Sequence, residues 1–309
     1  MGRMSRKLEK KAARPLRRGL GAWLELLRIP NFTTIPGDPV AGFLLAGAGS
    51  VDALSHLSFA ILSSLLLYAA GLILNDVADV EVDRRERPQR PIPSGRIGHE
   101  AARRAGWTFM LAGIATGSAM GWHGVAVALL LSGLISAYTF RLKATPMGPW
   151  LLGLCRMLNL AMGAAAAGVL STPWWCGALS IGLYILVVSR LAHREMESAA
   201  RGFAVWLPAI TIILAMGTLV RVTAVTGENQ VRVAAAFFFA FLLASRAALR
   251  LRAPQPAPDA IGILITALIP MQAALALGAG EGIGCALAGF GLLALFPVNR
   301  LLARSFHAS

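Results

Sequence analysis

The sequence predicts an all-α fold, a polytopic transmembrane helical bundle, on the basis of three observations. Hydrophobic residues make up 56% of the 309 residues and charged residues only 14%. The mean hydropathy of +0.65 is far above that of an ordinary soluble domain. Runs of about 18 or more mostly apolar residues recur along the chain, and basic residues collect in alternate connections between them.

The first 30 residues form a basic segment that precedes any apolar run. Positive charge next to a first membrane span favours the cytoplasmic side, so we expect this segment to be cytoplasmic. Its basic residues are Arg3, Arg6, Lys7, Lys10, Lys11, Arg14, Arg17 and Arg18.

The remaining chain, residues 31–303, is predicted to be one transmembrane domain. Each apolar run is long enough to cross the hydrocarbon core as a helix, which takes about 20 residues. The predicted spans are 31–50, 54–75, 103–121, 123–141, 148–171, 173–190, 203–225, 231–250, 259–279 and 281–300.

Charge in the connections supports this count independently. Every second connection is basic, and the intervening ones carry little positive charge, which predicts an even number of spans with both ends cytoplasmic. We therefore expect an integral protein of the cell inner membrane. The basic connections are residues 84–104, Arg141 with Lys143, residues 190–201 and 246–252, and finally Arg300 with Arg304.

The formal charge of +14 raises the question of nucleic acid. The basic residues are dispersed at the ends of apolar runs, without interleaved aromatic residues in a soluble domain, so we expect no nucleic-acid partner. Anionic membrane lipids and a phosphorylated ligand explain the charge better.

The second predicted span ends in a cluster of carboxylates. Asp76, Asp79 and Asp83 stand at i, i+3 and i+7, so a continuous helix would place them on one face, with Asn75 beside Asp79. Gathered anions near a hydrocarbon boundary are costly, so a cation is expected between them. These four oxygen-bearing side chains are predicted to bind Mg²⁺.

Basic residues follow the carboxylates directly. The guanidinium groups of Arg84, Arg87 and Arg90 can bind phosphate oxygens, so an acidic face followed by arginines indicates a diphosphate site. The segment 76–104 is rich in proline and is predicted to be an ordered cap over that site. A second polar interruption, 189–202, follows the sixth span, which predicts two helix ends facing one cavity.

Arg156 and Asn159 stand at i and i+3 inside the fifth predicted span, with Gly163 on the same face. A charged residue at such depth is a candidate functional residue, because an unpaired charge there is costly. The pair can face a cavity and bind substrate, or it can form a hydrogen bond between helices.

These residues resemble the UbiA superfamily of intramembrane prenyltransferases. The run from Asn75-Asp76 through Asp79 and Asp83 to Arg87-Pro and Arg90-Pro-Ile-Pro-Ser-Gly95 is similar to the first aspartate-rich motif of that family. Further similarities are Arg28-x-x-Asn31-x-x-Thr34, Ala137-Tyr138-Thr139 with Lys143, and Arg156-x-x-Asn159-x-x-x-Gly163. Members of this family fold as about nine helices around a central cavity closed by a cytoplasmic cap.

The resemblance implies an Mg²⁺-dependent transferase that moves a prenyl group from a prenyl diphosphate to an aromatic or other small nucleophilic acceptor. Asn75, Asp76, Asp79 and Asp83 would hold Mg²⁺. Arg87, Arg90 and Lys143 would face the diphosphate, and Asp76, Asp79 and Lys143 would serve catalysis. Tyr138, Arg156 and Asn159 would contact substrate.

The second motif departs from the family pattern. Members place further aspartates after the sixth span, where this chain has Ser189, Arg190, His193, Arg194, Glu195 and Glu197. Arg190 and Arg194 share a helix face and are predicted to bind diphosphate oxygens in place of a second metal ion. His193 with Glu197 is a candidate base. The pattern is similar to the EboC-like branch of the superfamily, and the missing aspartates leave a non-catalytic binder or transporter of an isoprenoid or aromatic metabolite as the alternative.

Overall fold

The computed structural model describes residues 19–47, 51–196, 202–223, 225–253 and 259–305, without the side chains of 51–53, 194–196 and 305. Within these ranges the chain forms helices and no strands, so the predicted all-α fold is confirmed. Eight segments are long and apolar enough to cross a membrane. The protein is therefore an integral membrane protein.

Helical residues 19–26 precede the first complete helix. The helices that follow are α1 Ile29–Phe32, α2 Gly37–Leu45, α3 Val51–Ala78, α4 Val80–Glu86, α5 His99–Gly117, α6 Gly121–Ala137, α7 Gly148–Ala167, α8 Thr172–Met196, α9 Leu207–Thr223, α10 Gly227–Leu251, α11 Ala260–Thr266, α12 Leu268–Leu277 and α13 Ile283–Ser305.

The first predicted span, 31–50, is not a single long helix. It consists of α1 and the nine-residue α2, which at about 1.5 Å per residue is too short to cross the hydrocarbon core alone. Pro36 separates the two, because proline disfavours helical geometry in the residue before it. The broken segment still runs between both ends of the bundle: Arg28 contacts Asp76 at the end of α3, and Leu45 accepts a hydrogen bond from Ser171 beyond α7.

The longest candidate span, His99–Leu142, contains 44 residues and is two antiparallel helices, α5 and α6. The chain reverses at Gly121, whose φ of 71° favours glycine. A Cβ at Gly124 would overlap the carbonyl oxygen of Gly117, so the two helices meet closely beside the turn. Counted as two helices, this span adds one to the eight candidates, and the broken first segment, which we call the first pass, precedes them.

Small residues allow the helices to approach one another. A Cβ at Gly163 on α7 would overlap the carbonyl oxygen of Pro39, and one at Gly42 on α2 would overlap that of Leu160. Close backbone approach of this kind is the common way in which helices pack in lipid. It fixes the broken first segment against α7, and this contact shapes one wall of the interior.

The segment between α4 and α5 is ordered at the end of the bundle that carries Asp76, Asp79 and Asp83, which we call the acidic end. Ile92 and Ile97 are buried against residues of α3. Arg96 donates to both carboxylate oxygens of Glu25, at 2.6 and 3.0 Å, and to the carbonyl oxygen of Gln89 at 2.7 Å. The bonded Glu25 raises the pKa of the Arg96 guanidinium. The predicted ordered segment is present.

We predict that Gly163→Ala destabilises the fold by about 1–3 kcal/mol, because the added methyl group forces α2 away from α7. The midpoint of thermal unfolding in detergent measures the effect. Gly133→Ala is the matched control, since Gly133 is an exposed helical glycine with nothing within 4 Å of an added Cβ. Equal midpoints for the two variants would contradict the packing described here.

Candidate functional site

A cavity of about 440 Å³ lies inside the bundle. Its wall is mostly apolar, with side chains of α3, α6, α7, α8 and α11. Asn75, at the acidic end of α3, and His193, near the end of α8, both line it. The predicted meeting of the two helix ends at one cavity is therefore confirmed.

The carboxylates at the acidic end are each in contact with a cation. The pairs are Asp76 with Arg28 (3.1 Å), Asp83 with Arg90 (2.7 Å) and Asp79 with Lys143. Arg90 also lies 3.9 Å from Asp76. Three negative and three positive side chains are thus interleaved, which offsets the cost of placing charge beside the apolar interior.

The helix that carries the three aspartates is interrupted at Asp79, although the carboxylates stay close together, since Arg90 lies near both Asp76 and Asp83. α3 ends at Ala78 and α4 begins at Val80, with Asp79 between them at φ −87° and ψ 0°. Asp83 consequently lies on a separate short helix, where it is buried and accepts a hydrogen bond from Arg90. Asp83 and Arg90 are paired with each other, and like Asp76, Asp79 and Lys143 they are absent from the cavity wall among the described residues, so their roles toward Mg²⁺ and diphosphate stay predictions.

Arg87 and Lys143, two other predicted diphosphate ligands, lie in different surroundings from each other. Arg87 is half-buried at the end of α4, and its side chain makes no ion pair or hydrogen bond within the described ranges. Lys143 follows a π-helical turn, Tyr138–Leu142, and reaches back to Asp79 with its ammonium group still partly exposed. π-helical turns recur at functional sites. Tyr138 in that turn lines the cavity, as expected of a substrate contact.

Asn75, Asp76 and Asp79 offer oxygen donors that suit Mg²⁺, which is usually held by one or two carboxylates. The Oδ1 atom of Asn75 is buried and has no hydrogen-bond partner among the described residues, while its Nδ2 donates to Asp79 at 3.2 Å. Across the described chain no three His, Cys, Asp or Glu side chains are grouped as metal ligands. Asn75, Asp76 and Asp79 therefore fit Mg²⁺, and the role of Asp83, whose carboxylate is bonded to Arg90, stays a prediction.

A second charged group lies deeper, where the first pass meets α7. Asp38 is fully buried and contacts Arg156 at 2.9 Å, and it accepts hydrogen bonds from Asn159 at 2.8 Å and Gln272 at 2.6 Å. Arg156 also donates to the hydroxyl of Thr34 at 3.1 Å. Buried charges persist in an apolar interior when they are paired and hydrogen-bonded in this way.

Arg156 and Asn159 combine the cavity position with hydrogen bonds between helices, and their contact with substrate stays a prediction. Both side chains line the cavity, and both form hydrogen bonds to the first pass. The partner Asp38 was missed in the sequence, although it is the one acidic residue of the predicted span 31–50, and an ionisable residue inside a span is a functional candidate.

The arginines of the second polar segment do not occupy the expected place. Arg190 is exposed, and its guanidinium lies 5.9 Å from the centre of the Trp150 ring on α7. It does not line the cavity. The side chains of Arg194 and Glu195, and the whole of Glu197, lie outside the described residues. Ser189 and His193 are the polar side chains that this helix contributes to the cavity wall.

Arg28 is a site residue to which the sequence assigned no role, although it begins the run Arg28-x-x-Asn31-x-x-Thr34 that resembles the family. It lines the cavity, contacts Asp76, and adopts a left-handed conformation with φ 48°. Among the described residues it is the one non-glycine residue with positive φ. Such conformations persist where the surroundings enforce them, often at functional sites.

Comparisons with known proteins agree with this geometry. The model of the UbiA prenyltransferase family matches residues 39–261. A digeranylgeranylglyceryl phosphate synthase of Ignicoccus hospitalis is 34% identical over 60% of this chain and 60% of its own length. One of Methanopyrus kandleri is 30% identical over 66% of this chain and 73% of its own length. The chain thus matches less than two thirds of the first of these relatives.

Solved structures show the same fold at low sequence identity. A UbiA homolog from Archaeoglobus fulgidus bound to GPP and Mg²⁺ has a TM-score of 0.63 at 17% identity, covering 88% of this chain and 99% of that one. The apo structure of a UbiA homolog from Aeropyrum pernix K1 has a TM-score of 0.62 at 14% identity, covering 79% and 96%.

We predict that Arg90→Met lowers the free energy of unfolding by about 3–5 kcal/mol, because it leaves Asp83 buried without its cation. The double variant Asp83→Asn with Arg90→Met should recover most of that loss. Arg84→Met is the control, because its pair with Glu81 is exposed and contributes at most about 1 kcal/mol. Thermal unfolding measures all three. A stable Arg90→Met variant that has lost diphosphate affinity would instead support the original prediction for Arg90.

Proposed function

The chain belongs to the UbiA prenyltransferase family, and we propose that it transfers a prenyl group from a prenyl diphosphate to a hydroxyl group of a lipid acceptor carrying glyceryl phosphate. The observation that carries the proposal is one largely apolar cavity whose wall includes Arg28 and Asn75, which contact Asp76 and Asp79 at the acidic end. The acidic end is proposed to face the cytoplasm, because the basic connections lie there.

The diphosphate is proposed to bind at the acidic end, between Arg28 and Lys143. Arg28 lines the cavity already, and the side chain of Lys143 is partly exposed, so we propose that it can turn to a phosphate oxygen. Mg²⁺, held by Asn75, Asp76 and Asp79, would supply positive charge that stabilises the leaving diphosphate. Arg28 and Lys143 add fixed positive charge at the same end.

The prenyl chain is proposed to lie along the apolar part of the cavity. Leu152 of α7, Val188 of α8 and Ile265 of α11 contribute to this wall. An apolar wall excludes water from the allylic carbon while its bond to the diphosphate oxygen breaks, and water would otherwise compete with the acceptor.

The acceptor headgroup is proposed to bind deeper, between α3 and α7. Tyr68 and Ser64 stand one helical turn apart on the cavity face of α3, opposite Arg156. The Ser64 hydroxyl is buried and has no hydrogen-bond partner among the described residues, so a bound polar group would satisfy it. Arg156 suits a phosphate, and the names of the relatives favour glyceryl phosphate over an aromatic acceptor.

In the proposed reaction the acceptor oxygen forms a bond to the allylic carbon, and the bond from that carbon to the diphosphate oxygen breaks. The acceptor hydroxyl loses its proton, and diphosphate leaves with the bonding electrons. His193 is the imidazole that lines the cavity among the described residues, and we propose it as the base.

We predict that Asp79→Asn lowers kcat by about 100-fold or more, because it removes a charge from the site of the leaving diphosphate. Protein in lipid nanodiscs is supplied with Mg²⁺, geranyl diphosphate and a glyceryl phosphate lipid carrying one geranylgeranyl chain, and release of diphosphate is measured. Glu81→Gln, an exposed change on the adjacent α4, is the control and should retain full activity.

Two outcomes would contradict the proposed function. If the unmodified protein binds geranyl diphosphate and never releases diphosphate with any acceptor, the chain is a non-catalytic binder, as the missing second aspartates allow. If it binds no prenyl diphosphate while Asp76 and Asp79 are intact, the diphosphate site itself is wrong.

We predict that Tyr68→Phe raises KM for the acceptor by about tenfold, since a hydrogen bond to a charged group contributes about 1.5–3 kcal/mol. KM for the prenyl diphosphate should stay unchanged. The control is Tyr184→Phe, because the Tyr184 hydroxyl donates to the carbonyl oxygen of Leu264 and is not in the cavity wall. An equal rise of KM for both substrates would show that Tyr68 does not belong to an acceptor subsite.

A further inference from the structure

We propose that Asn299, on the last helix, is a positioning residue that holds Arg28 against Asp76. The inference rests on the proposed function, because prenyl diphosphate affinity is one of its measurements. Asn299 lies outside the part of the chain that the family model matches, residues 39–261. It touches none of the proposed substrate ligands, so any influence on the site has to pass through the residues it bonds, which belong to the first pass and to α11.

Arg28 needs such support for a conformational reason. A left-handed conformation is unfavourable for a residue that carries a Cβ atom, and Arg28 has φ 48°. Arg28 lies between helical residues 26 and 29, at residues 27–28 where the chain turns, so no continuous helix holds it in place. The position of its guanidinium, 3.1 Å from Asp76, therefore depends on how the following residues are anchored.

Asn299 supplies that anchor. Its side chain is 4% exposed, and its Nδ2 donates to the carbonyl oxygen of Pro30 at 2.7 Å and to the hydroxyl of Thr33 at 2.8 Å. Its Oδ1 accepts from the hydroxyl of Thr266 at 3.1 Å, at the point where α11 ends. Its two donor bonds reach Pro30, inside α1, and Thr33, directly after it, and α1 begins at the residue after Arg28.

Loss of the Asn299 bonds is expected to weaken binding of the prenyl diphosphate, because it changes the position of Arg28. Loss of both bonds allows α1 to shift, and Arg28 then moves relative to Asp76 and the cavity. Charged groups bind a diphosphate well only when they are held in position beforehand, and displacement of about 1 Å is costly. Asn299 would thus set affinity for the prenyl diphosphate without contacting it.

The chain offers a matched control in Asn229 on α10. It is also buried, and its Nδ2 donates to the carbonyl oxygens of Leu277 at 2.8 Å and Gly280 at 3.0 Å, at the opposite end of the bundle. Asn299→Ala and Asn229→Ala therefore remove the same residue type, the same number of donor bonds and similar buried volume. Both should lower the thermal midpoint by a similar amount.

The experiment measures KM and kcat for geranyl diphosphate with Mg²⁺ in nanodiscs. Asn299→Ala is expected to raise KM by about tenfold, a typical effect of losing an outer positioning group. Asn229→Ala should leave KM within about twofold of the unmodified value. In an Arg28→Gln background, Asn299→Ala should raise KM no further, because its effect passes through Arg28.

Hydrogen exchange provides a second measurement that does not depend on activity. Asn299→Ala should speed exchange in residues 28–36, including the Asn31 amide that bonds the Arg28 carbonyl oxygen at 2.8 Å, and Asn229→Ala should not. The inference is overturned if this exchange is unchanged, if both alanine variants raise KM equally, or if the effect of Asn299→Ala persists without Arg28. Failure of the unmodified protein to bind geranyl diphosphate would overturn the proposed function alone, and exchange would still decide the role of Asn299.

Discussion

A carboxylate inside an apolar bundle requires a cation next to it, and this requirement connects distant parts of the chain around the cavity. Asp76 is paired with Arg28 from the first pass, Asp79 with Lys143 after α6, and Asp38 with Arg156 from α7. Each pair joins two different passes, so the charges that would destabilise an isolated helix help to fix the arrangement of several helices. Arg28 and Arg156, each a member of one of these pairs, line the cavity.

The same groups consequently serve stability and the proposed chemistry. At the acidic end the cations balance the aspartates one for one, and the partial exposure of Lys143 leaves it free to exchange one anionic partner for another. The deeper pair is different, because Asp38 is fully buried and bonded by two amides as well as Arg156. We infer that the acidic end can rearrange around a ligand, whereas the deeper group provides a rigid wall.

The broken first pass explains how both groups can exist in one bundle. A continuous helix would bond its own backbone, whereas α1 ends at Phe32 and α2 begins at Gly37, so carbonyl oxygens around this break can accept from side chains of other helices. Gln272 bonds the carbonyl oxygen of Thr34, and Asn299 bonds that of Pro30. The last passes of the chain therefore hold the first one in place, and the position of Arg28 depends on residues far along the sequence.

The sequence alone determined the membrane fold, the positions of the helical passes and the acidic motif. Hydrocarbon imposes a length of about 20 apolar residues on each span whatever its neighbours are, and a helix end rich in Asp and Arg is a local property. The cavity shared by Asn75 and the end of α8 also followed from local pattern. Only the tertiary structure decided which cation pairs with which carboxylate, because the partners are separated by many residues and meet through packing. For this reason Asp83 and Arg90 bond each other in the predicted diphosphate motif, Arg190 lies on Trp150 outside the cavity, and Asp38 and Arg28 enter the site unforeseen.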